Sequence, residues 1–438
     1  WDFATDPEKK GEDQQWYRAD VPLPNKRDIQ VPGAWEAQGV GEPGRSNSGT
    51  AGFETYGHKM FSNYTGAAWY RKTIKVPTKW QDNRIWLKIG GVNSAGWIWV
   101  NGKFVAKAYE YAGTYKYDIT DLVTAGKSAT VAILVRNDVP SRQGEANSLR
   151  TFGGLYRSVE LEATGDVFVD DAYVEGKFDA KSAEVHATIR STASDSRKVK
   201  VEVQLTTLKG KEAGKASKSV TVDAGKSSEV VFDIPLKTFQ AWSPEQPNLY
   251  RADIVLEKGG KAVHGWIERF GVRKIETRNK QFWLNNKPYF LRGNGADYAY
   301  PLTVCSPADR KTHLRNISVA KDFGFNYVRH HTHVELPEYF EAADELGILV
   351  QSEIPYWAGF GKVDDTRYSG IAHMSGGLKD PPGDLRTLIT HFRRYVSNSF
   401  YCGGNEGHYV RELTQELHDI AKEMDPSRPW MSQERNTT

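Results

Sequence analysis

Hydrophobic and polar positions alternate in short runs through the first 275 residues of the chain. Two examples are "TVAILVRN" (130–137) and "RSVELEATG" (157–165), each bounded by turn-forming residues. A period of two is typical of β-strands that bury one face. In "RIWLKIGGVNSAGWIWVNGKFVAKA" (84–108), Asn101-Gly102 lies between two such runs and predicts a tight hairpin. The pattern therefore predicts an all-β fold for this part of the chain.

The composition changes within this β-rich part. Residues 1–164 form one predicted β-sandwich, and residues 165–275 are richer in lysine. The second segment contains about seven strand-like runs in about 110 residues and no cysteine pair, which is typical of an immunoglobulin-like sandwich without its disulfide. We interpret its lysines as a solvated face.

After residue 276 the period changes, and strand-like runs alternate with helical stripes. Apolar residues at helical spacing occur within 314–323, 336–346, 385–396 and 410–424. The strand-like runs before and between them are 288–294, 325–330, 348–353, a run beginning at 399, and 429–434. Repeated β-α units predict a parallel sheet with helices outside it, and two preceding sandwiches favour a barrel over an open sheet.

The number of strands is too small for a closed eight-stranded barrel. Such a barrel needs about 250 residues, whereas residues 276–438 supply five strand-like runs. An open barrel would expose a long parallel edge, which folded proteins avoid. We therefore expect the chain to be a fragment, a processed product or one part of a larger assembly.

Composition excludes several classes of partner. The 58 basic and 55 acidic residues leave a net charge of +3, which gives no reason to expect nucleic acid or an anionic membrane as a partner. No apolar run approaches the roughly 18 residues of a membrane helix. The two cysteines do not decide the redox compartment. A periplasmic or secreted location with a removed signal peptide is the favoured interpretation, and self-association into a homo-oligomer stays open.

Polar residues collect where the predicted barrel strands end. Active sites of such barrels lie at the carboxyl ends of the strands, so these side chains are expected to converge on one rim. In chain order they are Asn294, Asp297, Arg329, His331, His333, Glu353, Asn405, Glu406 and Glu434. We expect Arg329 to pair with a rim carboxylate, because a buried arginine needs a partner. His331 and His333 are predicted to share one face of a strand.

Several segments resemble glycoside hydrolase family 2, the group of β-galactosidases, β-glucuronidases and β-mannosidases. The central matches are "GFNYVRHHTHVELPEYFEAADELGILVQSEIP" (324–355) and "SNSFYCGGNEGHYV" (397–410). Others include "FGGLYRSVEL" (152–161) and "RFGVRKIETRNKQFWLNNKPYFLRGN" (269–294). The resemblance implies a jelly-roll sugar-binding-like domain (1–164), an immunoglobulin-like sandwich (165–275) and a (β/α)8 TIM barrel (276–438) of which about five strands are present.

The resemblance also implies a reaction and a role for each rim residue. It is that of a retaining exo-β-glycosidase, most similar to β-galactosidases, that acts on a carbohydrate substrate without cofactor or metal. Glu406 resembles the acid/base and Asn405 the neighbour that contacts the sugar 2-hydroxyl, while the nucleophile is expected on a seventh strand, C-terminal to this chain. The substrate-binding candidates are Asn405, His331, His333, Glu353, Arg329, Asn294, Asp297 and Glu434.

Two alternatives stay open at this point. The chain could be a carbohydrate-binding fragment without catalysis, or a metal-dependent hydrolase that uses His331 and His333, since imidazole suits zinc. An isolated Asn-Glu pair is also typical of a helix N-cap with an acid in the first turn. The stretches "GNGADYAYP" and "HHTHVELPEYF" depart from the family pattern and leave the sugar undetermined.

Overall fold

The first domain is built from two antiparallel sheets. The computed structural model describes residues 1–43, 62–109, 112–139, 152–298, 300–356, 380–405 and 411–432. The strands of this domain are β1 (Asp2–Asp6), β2 (Arg27–Asp28), β3 (Glu42–Pro43), β4 (Ser62–Asn63), β5 (Ala67–Lys75), β6 (Arg84–Ile89), β7 (Ala95–Val100), β8 (Lys103–Ala108), β9 (Tyr115–Asp118), β10 (Ser128–Arg136) and β11 (Val159–Thr164). The sheets have the orders β2-β1-β5-β10-β7-β8 and β11-β6-β9, and β3 pairs with β4.

The core of this domain follows from the alternation along its strands. Val131, Ile133 and Val135 of β10 belong to the main hydrophobic core, since alternate residues of a strand point to the same face. The predicted hairpin joins β7 and β8, and φ is positive at both Asn101 and Gly102, as a two-residue type I′ turn requires.

The second domain is a sandwich of seven strands, as predicted. They are β12 (Val167–Lys177), β13 (Ser182–Ser191), β14 (Arg197–Thr207), β15 (Glu212–Val222), β16 (Ser227–Pro235), β17 (Tyr250–Lys258) and β18 (Lys261–Phe270). The sheet orders are β12-β13-β16 and β15-β14-β17-β18. Alternate apolar residues fill the core between the sheets. Both cysteines of the chain lie outside this domain, and neither forms a disulfide.

A small antiparallel meander precedes the parallel sheet. Its strands are β19 (Ile275–Arg278), β20 (Gln281–Leu284) and β21 (Lys287–Pro288). Ile275 and Leu284 pack on Leu349 and Phe400 of the parallel strands that follow. The first barrel strand, predicted at 288–294, therefore lies later in the chain, because residue 288 still belongs to the meander and the barrel strand spans residues 293–296.

The last domain is a five-stranded parallel sheet with helices between its strands. The strands lie in chain order: β22 (Gly293–Ala296), β23 (Tyr327–His330), β24 (Leu349–Glu353), β25 (Asn398–Cys402) and β26 (Trp430–Met431). The intervening helices are α1 (Arg310–Asp322), α2 (Pro337–Leu346), α3 (Pro381–Phe392) and α4 (Arg411–Met424). Their apolar stripes pack on one face of the sheet, which confirms the predicted alternation. No helix in the described ranges is long and apolar enough to cross a lipid bilayer.

An apolar contact joins the first domain to the barrel domain. Phe152 and Tyr156 pack with Tyr298 in one buried cluster. Just after Phe152, a Cβ on Gly153 would lie 2.0 Å from the ring of Trp35. The glycine of "FGGLYR" therefore lets the chain pass over that ring and hold its aromatic neighbours against the barrel.

Candidate active site

Successive residues of the parallel strands point to opposite faces of the sheet. The register pairs Arg329 of β23 with Gln351 of β24, and Glu353 with Cys402 of β25. These side chains therefore share the face opposite to the helices, which is the inside of a barrel. Burial, reinforced by the Glu353 carboxylate, raises the pKa of the Cys402 thiol well above its usual value.

The central contact of this face joins three adjacent strands. Arg329 Nε donates to Glu353 Oε1 at 2.6 Å and its Nη2 donates to Glu353 Oε2 at 3.2 Å. The same Nη2 donates to Asn405 Oδ1 at 2.7 Å. Since a guanidinium has only donors, the atom of Asn405 that it contacts is the oxygen, and the amide Nδ2 is the end that remains to donate to a ligand.

Glu353 is fully buried and its carboxylate is satisfied within the protein. Its side chain is 0% exposed, against 17% for Arg329. Thr332 N donates to Oε2 at 2.9 Å and Gln351 Nε2 donates to Oε1 at 2.7 Å. The predicted pairing of Arg329 with a carboxylate is thus present. A buried carboxylate with an arginine and two further donors positions its neighbours and does not face solvent.

Two glycines carry the chain from β25 to Asn405. Gly404 has φ +114°, and a Cβ there would lie 2.4 Å from Tyr356 O. A Cβ on Gly403 would lie 2.1 Å from Ser432 O. This absence of side chains lets the Asn405 N–H donate to Tyr356 O at 2.9 Å. Only glycine fits such a left-handed, crowded position without strain, so the Gly-Gly pair sets the place of Asn405.

Two of the predicted carboxylates fall outside the described residues. Glu406 follows Asn405 directly in the sequence, and Glu434 lies three residues beyond β26. Their roles remain predictions from the sequence.

His331 and His333 do not share a strand face, and that prediction is wrong. Strand β23 ends at His330, and Thr332 has φ +51°, which turns the chain away from the extended conformation. His333 is 2% exposed. Its Nδ1 lies 2.9 Å from His331 O and its Nε2 lies 3.2 Å from Glu335 Oε1. Both ring nitrogens of His333 therefore face protein partners, which favours a structural role over substrate contact.

Asn294 lies inside the first parallel strand and not at its end, whereas Asp297 lies directly beyond the strand, as predicted. Asn294 is inside β22, paired with Val328, so it shares the helix-facing side and lies opposite to Arg329. Asp297 follows β22 directly and is exposed. The strand runs to Ala296, two residues beyond the predicted end at 294, and Asn294 therefore lies inside it.

Sequence reasoning missed the polar residues that support this site. Gln351 connects Glu353 to Tyr327, whose hydroxyl donates to Gln351 Oε1 at 2.5 Å. The sequence signal for Gln351 is that it stands two residues before Glu353 in "ILVQSE", a spacing that places both side chains on one face of a strand. Thr332 binds Glu353 through its backbone N–H. Every residue except proline has this group, so the sequence gives no signal for the contact.

A second buried network surrounds Glu335. Its carboxylate accepts hydrogen bonds from Ser306 Oγ and from Tyr300 Oη, the latter at 2.5 Å. Burial alone would raise the pKa of Glu335, but the hydrogen bonds and the nearby His333 and His330 lower it to about 2. Within the described residues, no three His, Cys, Asp or Glu side chains are arranged to hold a metal ion.

Three domain models of a single family match the chain in succession. The sugar-binding domain of glycosyl hydrolases family 2 matches residues 1–165, the central domain of that family matches 167–273, and its TIM barrel domain matches 275–437. The chain belongs to glycosyl hydrolase family 2. The five parallel strands are accordingly part of a TIM barrel domain that follows a sugar-binding and an immunoglobulin-like domain.

Relatives within family 2 carry two different names. A β-galactosidase of Thermoanaerobacter pseudethanolicus is 27% identical over 86% of this chain and 50% of its own length. A β-glucuronidase of Bacteroides fragilis is 25% identical over 83% of this chain and 54% of its own. The chain thus spans about half the length of these curated relatives. A solved family 2 member from Bacteroides cellulosilyticus shares the fold, with a TM-score of 0.80 at 23% identity over 98% of this chain and 54% of its own.

Proposed function

We propose that the protein to which this chain belongs is a retaining exo-β-glycosidase that removes terminal β-linked sugars, with Glu406 as general acid/base. The observation that carries the proposal is the contact of Arg329 with Glu353 and Asn405. It holds Asn405 at the carboxyl ends of the parallel strands, where the active sites of TIM barrels are found. Glu406 is the next residue in the chain.

The chemistry assigns separate tasks to the two neighbours. Cleavage of a glycosidic bond requires a proton for the leaving oxygen, and a retaining enzyme then uses the same carboxyl to activate water. Asn405, with its oxygen bound to Arg329, keeps its amide donor for a sugar hydroxyl. We assign the nucleophile to a strand C-terminal to residue 438, as the family resemblance implies. Glu434 is assigned to substrate contact.

The sugar is proposed from the relatives. β-Galactosides are the first candidates, because the relatives include proteins named β-galactosidase. β-Glucuronides are the second, because other relatives are named β-glucuronidase. A carbohydrate is the only partner that we propose for this site.

Glu406→Gln in the complete protein tests the acid/base assignment. Loss of the proton donor should lower kcat/KM for a disaccharide, which has a poor leaving group, by about 10²–10⁴-fold. Cleavage of the sugar bond in an activated dinitrophenyl glycoside should change far less, because that leaving group needs no proton. Equal losses on both substrates would contradict the acid role. Glu423→Gln, an exposed change on α4, serves as the control and should leave both rates unchanged.

A panel of aryl β-glycosides tests the activity itself. Turnover of the galactoside or the glucuronide by the complete protein would support a glycosidase and select the sugar. Binding of sugars without turnover of any aryl glycoside would favour the non-catalytic alternative. The metal-dependent alternative predicts activity that a chelator removes. The burial and the paired ring nitrogens of His333 do not support that alternative.

A further inference from the structure

A cleft between the immunoglobulin-like domain and the barrel domain is lined by four arginines: Arg273, Arg393, Arg394 and Arg428. Inside this cleft, the centre of a water molecule could occupy a volume of about 30 Å³. A space of this size admits one or two particles as large as water. It therefore has room for a small ion and none for a sugar ring.

Two of the four arginines have carboxylate partners. Arg394 contacts Asp171 at 2.6 Å and Glu268 at 3.1 Å, both from the immunoglobulin-like domain. Arg428 pairs with Asp425, which is itself 4% exposed. The positive charges of Arg394 and Arg428 are thus compensated within the protein.

Arg273 is buried, and in the described part of the chain no carboxylate contacts its guanidinium, although Asp425 and Asp344 lie near enough to act on it through their charges. Arg273 is 8% exposed, and its Nε and Nη2 donate to the carbonyl oxygens of Val396 and Asn398 at 2.7 and 2.8 Å. Burial, followed by repulsion from Arg428, lowers the pKa of Arg273 to about 9. A buried cation with neutral partners alone is costly, since carbonyl dipoles only partly replace its hydration.

Arg393 is the second arginine of the cleft for which the described residues supply no ion pair. Its guanidinium carbon lies 3.7 Å from the centre of the Tyr173 ring, and its Nη1 donates to Met424 O at 3.4 Å. Its Nε is buried and has no hydrogen-bond partner among the described residues. Arg393 thus brings a second guanidinium without a carboxylate contact to the same cleft.

One carboxylate lines the cleft but does not neutralise these two arginines. Glu175 Oε1 lies 2.8 Å from Lys177 Nζ. In the described part of the chain, no ion pair within 4.0 Å joins Glu175 to Arg273 or Arg393. Among the described residues, the cleft therefore contains two guanidiniums, those of Arg273 and Arg393, that have no carboxylate in direct contact.

We propose that this cleft binds a small inorganic anion of about the size of chloride, which compensates Arg273 and Arg393 and stabilises the contact between the immunoglobulin-like and barrel domains. The anion would contact the parts of the two guanidiniums that line the cleft. Larger oxyanions are excluded by the size of the cleft.

Chloride titration of the complete protein tests the proposal. At constant ionic strength, replacement of methanesulfonate, the larger anion, by chloride should raise the midpoint of thermal unfolding. A site bound only in the folded state predicts a rise of about 2–4 °C at a chloride concentration a few times the dissociation constant, and a further rise with the logarithm of the concentration. Equal midpoints in the two salts would overturn the proposal.

Variants and bromide locate the effect. Arg273→Met and Arg393→Met should each abolish the chloride-dependent rise, and Arg393→Met decides the question if the more buried Arg273→Met does not fold. Arg251→Met, which removes a charge from the exposed Arg251–Asp253 pair, should retain the rise. Crystals soaked in bromide should show an anomalous peak between Arg273 and Arg393. A retained rise in Arg393→Met, or a cleft without bromide, would contradict the site.

Discussion

The two faces of the parallel sheet use the same strands for different purposes. On the inner face, Arg329 and Glu353 form a contact in which every charge has a partner. On the helix-facing side of the same strand, His330 is 0% exposed and neither ring nitrogen has a hydrogen-bond partner among the described residues. Its ring instead packs edge-on against Tyr339 at 4.7 Å. The inner face carries the polar contacts of the candidate site. On the helix-facing side, the ring of His330 contributes to packing and makes no hydrogen bond to the described residues.

The largest expected effect follows from breaking the inner face. Arg329→Met leaves Glu353 buried without its cation, which should cost about 3–5 kcal/mol of unfolding free energy. Asn405 would lose the donor that orients it, and a displacement of about 1 Å at an active site can cost roughly 10²-fold in rate. Denaturant unfolding and kcat/KM of the complete protein would measure both effects.

Arg292→Met provides the matched control for this change. Arg292 precedes β22, is exposed, and donates to Gly324 O. Arg292→Met should therefore change neither the unfolding free energy nor kcat/KM strongly. Similar losses in the two variants would mean that Arg329 has no special place in the site.

On the helix-facing side, we expect His330 to make the unfolding free energy depend on pH, by a smaller amount than the loss in Arg329→Met. Burial, followed by repulsion from His333, lowers the pKa of His330 to about 3, whereas an unfolded histidine titrates near 6.5. The unfolded chain therefore binds the extra proton between these values, and stability falls as the pH decreases from about 6.5 towards 3.

His330→Leu should remove this loss, which amounts to about 2 kcal/mol at pH 5. Unfolding free energies at pH 5 and pH 7 would show the difference shrink in the variant. His418→Leu, on the exposed side of α4, should keep the wild-type pH dependence. An unchanged acid sensitivity in His330→Leu would show that His330 is not the titrating group.

The smallest expected change in unfolding free energy is that of a substitution at Tyr401, which also faces the helices. Its hydroxyl donates to Asp425 at 2.8 Å and its side chain is fully buried. Tyr401→Phe should cost about 1.5 kcal/mol, the lower end of the range for a hydrogen bond to a charged group, because Ser427 and Arg428 still bind Asp425. It should leave kcat/KM unchanged, because the ring points away from the inner face. A large loss of activity with normal stability would contradict the division between the two faces.

The elements of the fold were largely predictable because they depend on local periodicity. The helical stripes that end at Gly324 and Gly347 correspond to α1 and α2, and the seven strands of the second domain were recognised from alternation alone. The first barrel strand was misplaced because the meander before it uses the same apolar and turn residues. Local pattern does not distinguish an antiparallel strand from the parallel strand that follows it.

For the candidate site, the sequence by itself determined which residue types stand near the strand ends, and it predicted that Arg329 needs an acidic partner. Only the tertiary structure decided that the partner is Glu353, that Asn405 binds the same guanidinium, and that His333 turns towards Glu335. The positive φ of Thr332 and Gly404 sets these directions. Such backbone conformations, and contacts between residues 76 positions apart such as Arg329 and Asn405, depend on how distant segments pack and are not encoded in any short stretch of the chain.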